Sequence, residues 1–236
     1  MTMLSRRHFL SLGAAGALGG LLARRAGAAV VKAPLDVVAL GFLPASLTLI
    51  ARADWQSPKP KTWLLREAGG FDRLTVHHQG GRVCRESAVN AVMADVDAVF
   101  AGHFSRRYGD IGYHFMIDYA GRVWEGRSLS YEGAHVESQN GGNIGVLLLG
   151  NYEAQIPSDD AVQSLARLTY ALREQFGIKR HRVYGHRDLG ASVCPGKHLY
   201  PYVGELRDGA LGEALILQAD TGNVTASEKE TTPHDS

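Results

Sequence analysis

The sequence predicts an α/β domain with a mixed central β-sheet flanked by helices on both faces, and three observations carry that prediction. The run Asn143-Ile144-Gly145-Val146-Leu147-Leu148-Leu149-Gly150 is almost continuously apolar, which suits a strand covered on both sides. Two longer stretches, 86–108 and 157–177, repeat apolar residues at helical spacing with charges between them. Between and around them lie shorter strand-like runs, giving the order strand, helix, hairpin, central strand, helix, short strand.

Residues 1–29 are set apart from the fold. Ser5-Arg6-Arg7-His8-Phe9-Leu10 reads as a twin-arginine export motif, followed by the weakly apolar stretch Ser11 to Ala23 and a small-residue site near Ala26-Gly27-Ala28-Ala29. The alternative is an uncleaved signal anchor, against which the stretch is short of the ~20 apolar residues a bilayer needs and is rich in Gly and Ala. Contact with a membrane is therefore expected only in transit, and the destination is the periplasm, cell envelope or exterior. Residues 30–51 hold apolar patches broken by Pro34, Gly41 and Pro44 and read as a lead-in over the domain surface. The domain proper is placed at 52–209, with its core beginning near Phe71.

Leu74-Thr75-Val76-His77-His78 reads as a short buried strand ending in the Gly80-Gly81 turn. In the first helix, Val89, Val92, Met93, Val96, Val99 and Phe100 form the apolar stripe, and Gly109 stops it. Gly112 to Tyr119 is rich in aromatic and β-branched residues; Ala120-Gly121 supplies a turn and Arg122-Val123-Trp124-Glu125 returns as the hairpin partner. A Gly- and Asn-bearing loop, 133–142, leads into the central strand. Pro157-Ser158-Asp159-Asp160 opens the second helix with a capping serine and acids facing the positive end of the helix dipole, and Gly177 closes it. A short strand near Arg182-Val183-Tyr184 delivers His186, and residues 220–236 form a polar tail that composition predicts to be disordered.

Composition narrows the function. The chain has 236 residues, enough for one substantial core, and a formal charge of +1. Removing the leader's four arginines from 25 basic residues leaves 21 against 24 acidic ones, a net charge of −3, so no basic face calls for nucleic acid. The two cysteines, Cys84 and Cys194, invite a disulfide in an exported protein. Against that pairing, Cys194 has a histidine eight positions upstream and Pro195-Gly196 directly after, which a bare disulfide does not explain; Cys84 reads as a free, half-buried thiol.

His77, His186 and Cys194 are the strongest chemical signal. His77 ends a strand, while His186 and Cys194 share a glycine-punctuated loop able to fold back on itself. Two imidazoles and a thiolate are a good zinc donor set, and three protein ligands leave the fourth position open for catalysis. These ligands and Tyr113 are expected to gather at one end of the sheet, where α/β folds place ligand clefts.

Arg52-Ala53-Asp54-Trp55, Val76-His77-His78, Gly112-Tyr113-His114-Phe115, Glu125-Gly126-Arg127, Gly133-Ala134-His135, Asn143-Ile144-Gly145-Val146 and Gly185-His186-Arg187-Asp188 through Cys194-Pro195-Gly196 together resemble the type-2 N-acetylmuramoyl-L-alanine amidases. That family includes the peptidoglycan recognition proteins and the amidase-type phage lysozymes. The resemblance implies that His77, His186 and Cys194 ligate zinc, that Tyr113 is the catalytic tyrosine, and that Ser192 stands where a lysine, threonine or serine assists the oxyanion. It also implies that His135 and Asn140 line the groove for the peptide stem. Gln79 stands where a small hydroxyl residue often follows the His pair, Ser138-Gln139 where Gly-Tyr often precedes the asparagine, and the cysteine pair of the animal recognition proteins is missing.

The activity so implied is hydrolysis of the amide between the lactyl group of N-acetylmuramic acid and L-alanine in peptidoglycan, by a monomer. The alternative is a module that binds muropeptides without cutting them. No H-E-x-x-H helix supplies a glutamate base, so that role falls to Tyr113 or to the metal-activated water itself. His78 and His114 are expected in packing or in supporting the site, His103 and His181 as ordinary histidines, and Asp188 as a brace for the His186 loop.

Overall fold

The computed structural model describes residues 40–55 and 59–211; the export motif, residues 30–39 and the polar tail lie outside them. In chain order the elements are β1 (Leu49–Ile50), α1 (Arg52–Trp55), β2 (Arg73–His78), α2 (Val89–Ser105), β3 (Phe115–Ile117), β4 (Val123–Glu125), β5 (Asn143–Leu148), α3 (Asp159–Phe176), β6 (Val183–Gly185) and α4 (Tyr200–Asp208). The strands form one six-stranded sheet in the order β1-β4-β3-β5-β2-β6. Among the described strands only the β3–β4 pair is antiparallel, so the sheet is mixed.

Strand alternation sorts the apolar residues into two cores. Leu74 and Val76 of β2, Phe115 and Ile117 of β3, and Ile144, Val146 and Leu148 of β5 face α3 and α4. Met116, Trp124 and Leu147 face the other way, against Val92, Val96 and Phe100 of α2 and Trp55 of α1. Helices thus cover both faces, and all six residues of β5 are buried, as its sequence predicts. By the same alternation, Thr75 and His77 of β2 lie on the face carrying α2, and Gly145 opposes Thr75 there.

Helix α3 follows its sequence signals closely. Ser158 Oγ accepts from the Ala161 N–H at 3.2 Å as the N-cap, and Gly177 ends the helix with a left-handed backbone, φ 67°. Helix α2 is shorter than the 86–108 expected: it starts after Ala88, which offers no side-chain cap, and ends before Arg107, whose φ is 64°. Strand β3 begins only at Phe115, leaving Tyr113 in irregular chain. In the lead-in, β1 pairs with β4, Leu47 is buried in the core on the α3 side, and Leu40, Phe42, Leu43 and Leu49 pack against that core half-buried. The core therefore begins well before Phe71. Cys84 is fully buried, not half-buried, and both cysteines are free. Among the described residues no helix is long and apolar enough to cross a membrane.

Candidate metal centre and cleft

Three ligand atoms converge: one each from His77, His186 and Cys194 lie within 4.8 Å of one another. The topology brings them together. His77 is the penultimate residue of β2, whose register with β6 aligns Val76 with Gly185, so the chain leaving β6 presents His186 beside His77. Their rings lie 4.8 Å apart between centroids. The loop then returns, with the Arg187 N–H donating to the Cys194 carbonyl at 2.8 Å, and carries Cys194 Sγ to 3.7 Å from His77 Nδ1. Zn–N bonds of ~2.0–2.1 Å and a Zn–S bond of ~2.3 Å place tetrahedral N and S ligands ~3.5 Å apart, so this donor set fits zinc.

The loop is braced as its sequence suggests. Asp188 accepts from the Gly185 N–H at 2.8 Å and from the Tyr200 hydroxyl at 2.6 Å, and pairs with Arg207. Ser192 Oγ accepts from the Cys194 N–H at 3.1 Å, which leaves its own proton free to donate elsewhere. Cys194 Sγ accepts from the His78 N–H at 3.3 Å, a bond that favours the thiolate, yet burial outweighs it and pushes the metal-free thiol up to about 12. Burial, reinforced by His135 and His186, holds the His77 ring well below its ordinary value, and burial lowers His186 too. The imidazoles are therefore neutral at pH 7, the form that ligates metal.

Tyr113 stands two residues before β3, in irregular chain, with its ring 5.1 Å from that of His77. Burial pushes its phenol well above the usual tyrosine value, so it remains a proton-bearing donor at neutral pH. A cleft of about 280 Å³ opens beside it, lined by Gln79, Ala98, Val99, Gly102, His103, Arg106 and Leu147 as well as Tyr113. It lies between α2 and the face of the sheet, not simply beyond the strand ends. His103 belongs to this cleft, against the expectation of an ordinary histidine: its Nδ1 accepts from the Gly112 N–H at 2.8 Å, and its ring lies 5.3 Å from that of Tyr113. Burial lowers the His103 ring to about 4, so the neutral ring presents its remaining proton on Nε2. Spacing on α2 offered no sign of this, because the partner loop is positioned only by tertiary structure.

His135 and Asn140, expected in the groove, have their side chains engaged within the protein. The His135 ring is 9% exposed, its Nδ1 3.0 Å from His77 Nε2 and its Nε2 3.1 Å from the Asn143 carbonyl, so it faces the metal ligand. Asn140 Oδ1 accepts from the N–H groups of His135 and Val136, both at 2.9 Å, while the residue also borders a second cleft with Leu64, Arg66, Arg107 and Tyr108. Two of the sequence motifs act at a distance from the metal ligands. Arg127 is buried and donates to the carbonyls of Ile111, Glu132, Tyr108 and Asp110, fixing the chain that leads into Tyr113. Arg52 pairs with Asp110 at 2.5 Å and donates to the Gly126 carbonyl, while Glu125 accepts from the Arg52 backbone N–H. His78 and His114 are packed as expected, accepting from the N–H groups of Tyr152 and Gly145.

A sequence profile of the N-acetylmuramoyl-L-alanine amidases matches residues 69–197. Peptidoglycan-recognition protein SD of Drosophila simulans is 28% identical over 175 residues, spanning 70% of this chain and 93% of that protein. Peptidoglycan-recognition protein SC2 of Drosophila melanogaster is 31% identical over 158 residues, 65% of this chain and 83% of that one. Among solved structures, Drosophila peptidoglycan recognition protein SD superposes with a TM-score of 0.61 at 26% identity, covering 67% of this chain and 94% of that chain. The amidase LysC of Clostridium intestinale shares the fold, with a TM-score of 0.55 at 19% identity over 70% of this chain and 99% of its own. On the profile match and these relatives, the chain belongs to the N-acetylmuramoyl-L-alanine amidase family, which its six-stranded mixed sheet also fits.

Proposed function

We propose that this chain is an exported, zinc-dependent N-acetylmuramoyl-L-alanine amidase that cuts peptidoglycan between the lactyl group of N-acetylmuramic acid and L-alanine. The convergence of His77, His186 and Cys194 carries the proposal, with the Tyr113 ring 5.1 Å from that of His77. When bound to these three side chains, zinc supplies a Lewis acid that polarises the scissile carbonyl and activates water. The protein supplies the rest. Tyr113, protonated at neutral pH, offers a hydrogen bond to the carbonyl oxygen as negative charge develops on it, and the Ser192 hydroxyl proton is a second donor. His103, which lines the cleft and keeps its proton on Nε2, is suited to donate to a carbonyl of the peptide stem.

The second reading is a recognition module that holds muropeptides without cutting them, favoured by the names of the curated relatives and by a structural neighbour, 27% identical, solved with tracheal cytotoxin bound to a complex of two recognition proteins. Retention of the cysteine ligand and the tyrosine favours the enzyme. The twin-arginine motif supports export of a folded, metal-loaded protein. The deciding experiment is digestion of purified muropeptides by the zinc-loaded protein, with products resolved by mass spectrometry. Free sugar and intact stem peptide, lost on chelation and restored by zinc, are expected; tight binding without cleavage would select the recognition module.

A further inference from the structure

We infer that His135 is a positioning residue that selects the tautomer of His77, holding the proton on Nε2 so that the Nδ1 lone pair is kept for the metal. The inference deepens the proposed function, since it rests on zinc at His77, His186 and Cys194.

A chain of hydrogen bonds fixes the direction. The Asn143 backbone carbonyl can only accept, so His135 Nε2, 3.1 Å away, must carry a proton. A neutral imidazole has one N–H, which leaves His135 Nδ1 as an acceptor. His77 Nε2 lies 3.0 Å from that atom and must therefore donate. The remaining nitrogen of His77, Nδ1, is then an unprotonated lone pair, and it is the atom 3.7 Å from Cys194 Sγ. Thus a main-chain carbonyl, acting through two rings, decides which nitrogen of His77 meets the metal.

The surrounding chain is shaped to seat this ring. A Cβ added at Gly133 would meet His135 Cδ2 at 2.3 Å, and one at Gly145 would meet the same atom at 2.5 Å. Both glycines lie against the imidazole and leave no space for a methyl group. Asn143 is itself held, its Oδ1 accepting from the Thr75 hydroxyl at 2.9 Å and its amide donating to the Gln139 carbonyl at 2.9 Å. Asn140 secures the backbone of His135 from the other side. The motif residues Gly133, His135, Asn140, Asn143 and Gly145 therefore form one support for His77.

The test compares zinc affinity, by competition with a chromophoric chelator, in the wild type and in His135→Leu and His135→Asn variants. Leucine removes the acceptor, whereas the asparagine Oδ1 can stand where Nδ1 stood. Zinc binding is expected to weaken about ten- to hundredfold in His135→Leu and to recover in large part in His135→Asn. A folded His135→Leu protein with wild-type affinity would overturn the inference. Independently, nitrogen-15 spectra of the metal-free wild type should show His77 protonated on Nε2; protonation on Nδ1 would overturn it without any variant. If the wild type bound zinc no better than Cys194→Ser, the metal site itself would fail and this inference with it. That outcome is distinct from a wild type that binds zinc while His135 proves irrelevant.

Discussion

At the scale of single residues, Cys194 and Tyr113 separate metal retention from turnover. Replacing Cys194 with serine removes the only soft donor of the three, so zinc should be lost on dialysis and turnover with it; an active, metal-free Cys194→Ser protein would sink the site. Replacing Tyr113 with phenylalanine keeps the ring beside His77 and deletes the O–H. Turnover should fall about 10²–10³-fold, the usual cost of one oxyanion donor, while metal content by atomic emission stays unchanged. Legibility at this scale was uneven. His77, His186 and Cys194 could be read because each sits in an unusual local context. The bonding of His135 to His77 and the place of His103 in the cleft could not, because the atoms that orient them, the Asn143 carbonyl and the Gly112 N–H, belong to backbone placed by tertiary folding.

At the scale of elements, legibility followed local punctuation. Helix α3 has a serine cap, first-turn acids, an apolar stripe and a terminal glycine, and its boundaries match the sequence reading. Strand β1 has two residues in a segment broken by proline and glycine; its structure comes from pairing with β4, which local sequence does not encode. The irregular chain from Tyr108 to Tyr113 has no repeating hydrogen bonds of its own, and Arg127 stands in for them. Replacing Arg127 with methionine would leave four carbonyls without that donor. A loss of about 2–4 kcal/mol is expected, together with reduced turnover at unchanged zinc content. Chemical denaturation beside a metal assay measures both.

At the scale of the whole molecule, the interior stores several neutral histidines, and this sets a pH dependence. Burial lowers His114 to about 4 and His135 to about 3, against an ordinary value of 6.5. Between those limits the unfolded chain binds more protons than the native one. Stability of the metal-free protein is therefore fully present above pH ~6.5 and is lost as pH falls toward the folded values, by on the order of 1 kcal/mol per pH unit for each such ring. Thermal unfolding from pH 7.5 to 4 should show the midpoint falling steadily below 6.5; a flat profile would mean these rings are charged or solvated in the native state.

The two margins of the sheet carry a consequence of another kind. β1 has two residues and β6 has three, and among the described residues each is the outermost strand on its side. Unpaired backbone at a sheet margin is a template on which another chain can stack, and the hazard grows with the length of the template. With so few N–H and C=O groups in register, either margin offers a stray strand only a few hydrogen bonds. Short outer strands thus favour colloidal stability over self-association, a useful property in a protein whose long inner strand β5 is mostly Ile, Val and Leu.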